Sequence, residues 1–299
     1  MGAWEELLGR PGLILADGGM GTMLMELGLQ FGASPELWNV EHPDRVRQVH
    51  RGYLQAGSRV ILTNTFGCNR LRLGLHNLQA RVVEFNKAAA QLVREEVREM
   101  GGRAVVAGDI GPSGGILAPL GELEPAEATA AFAEQAGGLI EGGVDVIWIE
   151  TLSSLEEMRA AIDGVRQASA DIPIVATMTF DTRGRTMMGV TPEQAVRELS
   201  GWGVSALGAN CGNGPDEILS VIQKMKAAAP PEAVLVAKAN AGVPKLEKGR
   251  AVYGAGPQEM AAYATAVAEA GAGVIGACCG STPRHLEAMA AALKGRLAA

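Results

Sequence analysis

The chain has 299 residues, 47% hydrophobic and 20% charged, with 40 glycines but only five Phe, three Tyr and four Trp. That apolar content excludes a disordered chain, and glycines without a three-residue period exclude a collagen-like one. Twenty-six Lys and Arg against 33 Asp and Glu leave a formal net charge of −7 with no basic block, which argues against a nucleic-acid partner.

Eight short runs rich in Val, Ile and Leu succeed one another along the chain. Residues 13–16 lead into Asp17-Gly18-Gly19-Met20-Gly21, and residues 59–62 into Thr63-Asn64-Thr65-Phe66-Gly67-Cys68. Residues 104–107 precede Gly108-Asp109-Ile110-Gly111-Pro112, and residues 144–149 precede Glu150-Thr151. Residues 174–179 form the fifth run, and residues 206–209 meet Asn210-Cys211-Gly212. Residues 234–237 run into Lys238-Ala239-Asn240-Ala241-Gly242, and residues 273–277 end in Cys278-Cys279-Gly280. Near-continuous apolar runs indicate strands buried on both faces, as in a parallel sheet. Helical patterns lie between them, with Pro43, Pro125, Pro192 and Pro283 at first-turn positions. Eight strand–helix units in this length predict a single (β/α)8 TIM barrel, with residues 1–299 as one domain. A doubly wound open sheet is the structural alternative.

In such a barrel the chemistry sits at the carboxyl ends of the strands. Those ends carry Asp17, Thr63, Asn64, Asp109, Glu150, Thr179, Asn210, Cys211, Asn240, Cys278 and Cys279. Three of the four Cys lie at the ends of the sixth and eighth strands, and Gly212 and Gly280 give the backbone freedom to turn them toward one centre. Three thiolates with an open fourth position suit a catalytic zinc. Buried free cysteines are also common in cores, so spacing alone leaves a zinc centre and inert thiols both open. Few cysteines and no signal-like apolar start point to the reducing cytoplasm, where a Cys278–Cys279 disulfide is disfavoured. No segment approaches the roughly 20 apolar residues of a membrane span.

These strings resemble the homocysteine S-methyltransferase family, from Asp17 to about Leu286. The markers are Asp17-Gly18-Gly19-Met20-Gly21-Thr22, Thr63-Asn64-Thr65-Phe66-Gly67, Gly108-Asp109-Ile110-Gly111-Pro112, Glu150-Thr151, Asn210-Cys211 and Cys278-Cys279-Gly280. The resemblance implies that Cys211, Cys278 and Cys279 are zinc ligands and that homocysteine sulfur enters as the fourth. It also implies that Gly18, Gly19 and Met20, with Thr63 and Glu150, hold the amino and carboxylate groups of the amino acid. Asp17 either orients the first loop or touches substrate, and Asn210 is expected near the metal. Asp109 is read as a solvated or bracing rim residue. Cys68 is read as a buried small residue, with a spare thiol beside the metal as the alternative. The sequence departs from the family pattern at Ala277 and Ala239, which replace a glycine and a proline.

The family divides by methyl donor. Gly108-Asp109-Ile110-Gly111-Pro112, Asn240-Ala241-Gly242 and Val252-Tyr253 resemble the methionine-synthase branch, which implies methylcobalamin as donor. His42, His50, His76 and His285 include no Asp-x-His-x-x-Gly corrinoid-ligand motif, so the expected donor partner is a separate corrinoid protein or module. A stand-alone enzyme using S-methylmethionine or betaine is the alternative. A barrel lyase or aldolase would need a catalytic Lys at a strand end; Lys238 is the one candidate, and the rim cysteines would go unexplained. A non-catalytic thiol- or zinc-binding subunit is the remaining reading.

Overall fold

The computed structural model describes residues 2–243, 245–247 and 250–298. Pro244, which closes the Asn240-Ala241-Gly242-Val243-Pro244 string, lies outside them. All eight apolar runs form strands: β1 (Ile14–Leu15), β2 (Val60–Leu62), β3 (Val105–Ile110), β4 (Val146–Leu152), β5 (Ile174–Met178), β6 (Ala206–Cys211), β7 (Leu235–Ala239) and, last in the chain, β10 (Ala272–Ala277). Between β7 and β10 an antiparallel hairpin, β8 (Lys245–Glu247) with β9 (Arg250–Val252), stands apart from the main sheet. The eight remaining strands are all parallel, in the order β1-β10-β7-β6-β5-β4-β3-β2. A parallel Ala16–Val60 bridge and the bond from Arg59 N–H to the Leu15 carbonyl, 2.7 Å, join the first strand to the last. The result is a (β/α)8 TIM barrel.

Because side chains alternate across a strand, the barrel divides its apolar residues between two compartments. Ile14, Leu62, Ala107, Val146, Trp148, Val236 and Val274 fill the inside. Leu15, Ile61, Val106, Ile147, Ile149 and Ile275 belong to the larger layer between sheet and helices. Both faces are therefore apolar, which is why the runs do not alternate in sequence. Helices Pro43–Gln55, Pro125–Gly142, Pro192–Gly201 and Pro283–Ala292 each begin on the proline that marks their first turn, where a missing N–H costs nothing.

The end away from the mouth is closed by the short helix Ala3–Leu8. Its Trp4 is fully buried, packs edge-on against Trp148 with ring centroids 6.4 Å apart, and donates its indole N–H to Ser205 Oγ at 2.8 Å. Among the described residues no helix is long and apolar enough to cross a membrane.

Candidate active site

Along the inner face of each strand, the apolar layer around Trp148 gives way two residues later to ionisable groups. Val146-Trp148-Glu150 on β4, Val236-Lys238 on β7 and Ala107-Asp109 on β3 follow this period. Asp17 sits just past β1. Its Oδ2 accepts the Leu62 N–H at 2.8 Å, doing at the barrel seam what a backbone carbonyl does elsewhere in the ladder. Its Oδ1 lies 3.2 Å from Lys238 Nζ, and that ammonium also lies 3.6 Å from Glu150 Oε2. Trp148 supports the cation from below, with Nζ 5.4 Å from the ring centre.

Burial opposes the charge on Lys238, yet Glu150 and Asp17 outweigh it and its pKa is raised. Burial raises Asp17 and pushes Glu150 up to about 7, with Lys238 resisting in both cases. Asp109 is raised well above the ordinary carboxylate range by burial and then by the neighbouring Glu150 charge. The surrounding carboxyls thus favour the charged form of Lys238. A lyase lysine that forms a Schiff base must be neutral to attack, which weighs against the aldolase reading.

Above this floor the three rim cysteines come together. Cys211 ends β6, while Cys278 and Cys279 follow β10 directly. Their Sγ atoms all lie within 4.8 Å of one another. Zinc–sulfur bonds of about 2.3 Å in a tetrahedron require sulfurs about 3.8 Å apart, so the trio fits a zinc ion. The turn that aligns them is the one expected: Gly212 and Gly280 have φ of +69° and +79°, and Cys211 itself is left-handed at +65°. Hydrogen bonds from Cys211 and then Cys278 pull the Cys279 thiol down to about 3, and those to Cys278 and then Cys279 raise Cys211. Tyr253, on the loop before the last helix–strand unit, hydrogen-bonds Cys279 as well.

A cavity of about 380 Å³ opens over these groups. Asp17, Gly18, Gly19, Met20, Thr63, Glu150, Cys211, Cys278 and Cys279 all line it, so nine of the ten residues singled out from sequence converge. Gly19 must be glycine: a Cβ there would lie 2.8 Å from the Cys278 carbonyl oxygen. The first loop therefore presses directly on the cysteine loop, and Gly19 N–H donates to Ser281 Oγ at 3.0 Å while its carbonyl accepts the Tyr53 hydroxyl at 2.8 Å. The Thr63 hydroxyl is already engaged, by Thr65 Oγ1 at 2.6 Å and the Asp109 N–H at 2.9 Å.

Asn210 is the exception. It is fully buried and lies outside the cavity wall. Its Oδ1 accepts the Thr151 N–H at 2.9 Å and the Thr177 hydroxyl at 2.8 Å, and its Nδ2 donates to Thr151 Oγ1 at 2.7 Å. It thereby clamps Thr151, a β-branched residue at φ +68°, immediately after Glu150. Cys68 is buried with Leu73, Val82 and Phe85 in a separate cluster, away from the other thiols. Sequence reasoning underrated Lys238, Asp109 and Tyr253. Polar residues at i, i+2 below a strand end were the available signal for the first two.

The fold is a parallel barrel with three convergent thiols, which could hold a metal ion, over an ionic floor at its mouth. The chain matches the homocysteine S-methyltransferase family over residues 14–293 and belongs to that family, a family of methyltransferases. It is 33% identical, over 296 residues, to the methionine synthases of Mycobacterium tuberculosis (strain ATCC 25618 / H37Rv) and Mycobacterium leprae (strain TN). Those alignments cover 94% of this chain and 24% of each relative, so the chain spans about a quarter of their length. The homocysteine methyltransferase MmuM from Escherichia coli, in its metallated form, shares the fold with a TM-score of 0.80 and 23% identity, over 97% of this chain and 99% of that one. Its apo form gives a TM-score of 0.75.

Proposed function

We propose that residues 1–299 act as one homocysteine-binding unit that transfers a methyl group to homocysteine sulfur, forming methionine, with methylcobalamin on a separate corrinoid protein or module as donor. The observation that carries the reading is the convergence of Cys211, Cys278 and Cys279, with Sγ atoms within 4.8 Å, above a floor of Asp17, Asp109, Glu150 and Lys238. In this reading the three cysteines hold zinc. When bound, zinc supplies a thiolate at neutral pH by displacing the proton of the incoming thiol.

The chain's own residues do the rest. Glu150 receives the substrate ammonium, and the Gly18-Gly19-Met20 backbone flanks the carboxylate. Lys238 opposes the rise that burial imposes on the floor carboxyls and fixes Asp17 by a hydrogen bond, while the inner apolar wall limits water. The homocysteine sulfur lone pair forms the new bond to methyl carbon as the donor bond breaks, its electrons leaving with the donor. No general base is needed in that step, so the contribution of the protein is to hold sulfur and methyl in line.

A macromolecular donor is supported by the mouth. Phe31, Leu75, Leu120, Met187 and Val243 are exposed apolar residues on the loops around it, and exposed apolar groups clustered beside a site mark an interaction surface. The 33% identity to methionine synthases points the same way. The reducing cytoplasm, where thiols stay free, is the compartment this chemistry needs.

The test is homocysteine methylation by zinc-loaded protein, run in parallel with methylcobalamin, S-methylmethionine and betaine. Turnover with methylcobalamin, lost in Cys279→Ala together with zinc, is expected. Turnover with only a small sulfonium or ammonium donor transfers the reading to the stand-alone enzyme. Full activity in a zinc-free Cys279→Ala protein sinks the metal chemistry.

A further inference from the structure

We infer that Ser281 and Tyr53 are positioning residues that fix the distance between the first loop and the cysteine loop. That fixed distance acts as a ruler, favouring a thiol two methylenes from its α-carbon over one a single methylene away. The inference rests on the homocysteine reading above, in which the first loop flanks the carboxylate and the cysteine loop places the sulfur.

The two loops, residues 17–22 and 278–281, follow the neighbouring strands β1 and β10. Their last shared ladder bond runs from Ala277 N–H to the Asp17 carbonyl at 3.0 Å. Beyond it side chains join the loops. Ser281 Oγ accepts the Gly19 N–H at 3.0 Å and donates to the Cys278 carbonyl at 2.7 Å. The Tyr53 hydroxyl, on helix Pro43–Gln55, reaches both the Gly19 carbonyl at 2.8 Å and the Ser281 carbonyl at 3.2 Å. It thus ties the two loops from a third element. Thr22 Oγ1 accepts the Gly280 N–H at 3.2 Å. Ser281 and Tyr53 are fully buried, where hydrogen bonds are electrostatically stronger than in water. The packing between the loops has no slack. A Cβ on Gly18 would lie 2.5 Å from Ser281 Oγ, and one on Gly19 would lie 2.8 Å from Thr22 Oγ1.

Gly18, Gly19, Cys278 and Cys279 line the cavity, whereas Ser281 and Tyr53 stand behind its wall. The two hydroxyls therefore act only through the loops they hold. A ligand gripped at both ends by elements of fixed separation gains from both contacts only when its own length matches the span. A single missing methylene then costs roughly 10- to 200-fold. Where the brace gives, the loops follow a shorter ligand and the advantage of the matched one shrinks.

The experiment titrates zinc-loaded wild type, Ser281→Ala and Tyr53→Phe by calorimetry, with zinc content measured after each titration. The ligands are L-homocysteine, L-cysteine and 3-mercaptopropylamine, which keeps the thiol, amine and spacing of homocysteine without its carboxylate. Wild type is expected to bind homocysteine at least about tenfold more tightly than cysteine. In each variant that ratio is expected to fall at least about threefold through weaker homocysteine binding. Affinity for 3-mercaptopropylamine, which has no carboxylate to meet the first loop, is expected to stay at the wild-type value, a result that general damage to the site would not give. A ratio unchanged in Ser281→Ala or Tyr53→Phe, or equal weakening of all three thiols, overturns the ruler. Wild type that binds homocysteine and cysteine alike overturns the ruler alone. Wild type that binds none of the thiols overturns the homocysteine reading and the ruler with it.

Discussion

Thr151 and Cys211 are non-glycine residues held at φ +68° and +65°, a region that costs roughly 1–3 kcal/mol per residue and persists only where neighbours enforce it. Asn210 is the enforcing group at Thr151, through two hydrogen bonds, with a third from Thr177 holding the amide in place, and it precedes Cys211 in the chain. One buried amide therefore fixes the strand end that carries Glu150 and the one that carries a thiol. The thiols themselves were legible in sequence because cysteines are few and three fall at strand ends. The Asn210 clamp was not, since its partners lie 59 and 33 residues away and only strand pairing brings them together. A second buried residue makes a test of pH. His50 is fully buried, neither ring nitrogen has a partner among the described residues, and burial lowers its pKa to about 3. Its folded pKa is below the unfolded value near 6.5, so the unfolded chain binds a proton that the folded one refuses. Stability is intact above pH 6.5 and falls as pH drops toward 3, by about 3 kcal/mol at pH 4 from this group. His50→Leu should match or exceed wild type at pH 7.5 and gain steadily on it down to pH 4 in urea unfolding. Parallel stability curves for the two proteins would refute the account.

At the level of elements, the eight strands were readable because a barrel strand has two dry faces and so appears as an unbroken apolar run. The starts of the helices were readable because proline is tolerated in a first turn and nowhere later. Two elements escaped. The hairpin β8–β9 is three residues per strand, too short for a period-two pattern. Helix Ala3–Leu8 is six residues with two glutamates, and nothing local marks it as a plug. Its value is tertiary, coming from Trp4 filling the closed end of the barrel against Trp148. Trp4→Ala removes a fully buried indole and its hydrogen bond to Ser205, which should cost about 3–5 kcal/mol. The site lies at the other end of the strands, so the KM for homocysteine in the surviving folded protein should stay within about twofold, a tolerance typical of sites that do not couple. Denaturant midpoints and steady-state kinetics measure the two effects separately. A Trp4→Ala protein of wild-type stability would show that the helix is an ornament, and a large KM change would show that the barrel transmits strain from end to end.

Across the whole molecule, the thiol centre joins β6 to β10 across β7, but the barrel does not depend on it for closure. The seam is made by the Ala16–Val60 bridge, the Arg59 to Leu15 bond and the Asp17 carboxylate, and neither apolar compartment includes Cys211, Cys278 or Cys279. This differs from small zinc modules, in which the metal supplies most of the folding free energy. Zinc that binds only the folded chain adds stability by mass action, about 4 kcal/mol at a thousandfold excess over its dissociation constant. In a domain of this size that corresponds to a rise in Tm on the order of 10 °C. Treating the holoprotein with a chelator should therefore abolish methyl transfer and lower Tm by roughly that amount, on the same order as the mass-action estimate. A single cooperative transition and an unchanged far-ultraviolet circular dichroism spectrum should remain. Cys211→Ala, Cys278→Ala and Cys279→Ala should each melt near the metal-free wild type and show no rise on adding zinc. Loss of the cooperative transition on chelation would make the metal a structural brace, and a Cys279→Ala protein still raised by zinc would place the ion elsewhere in the barrel.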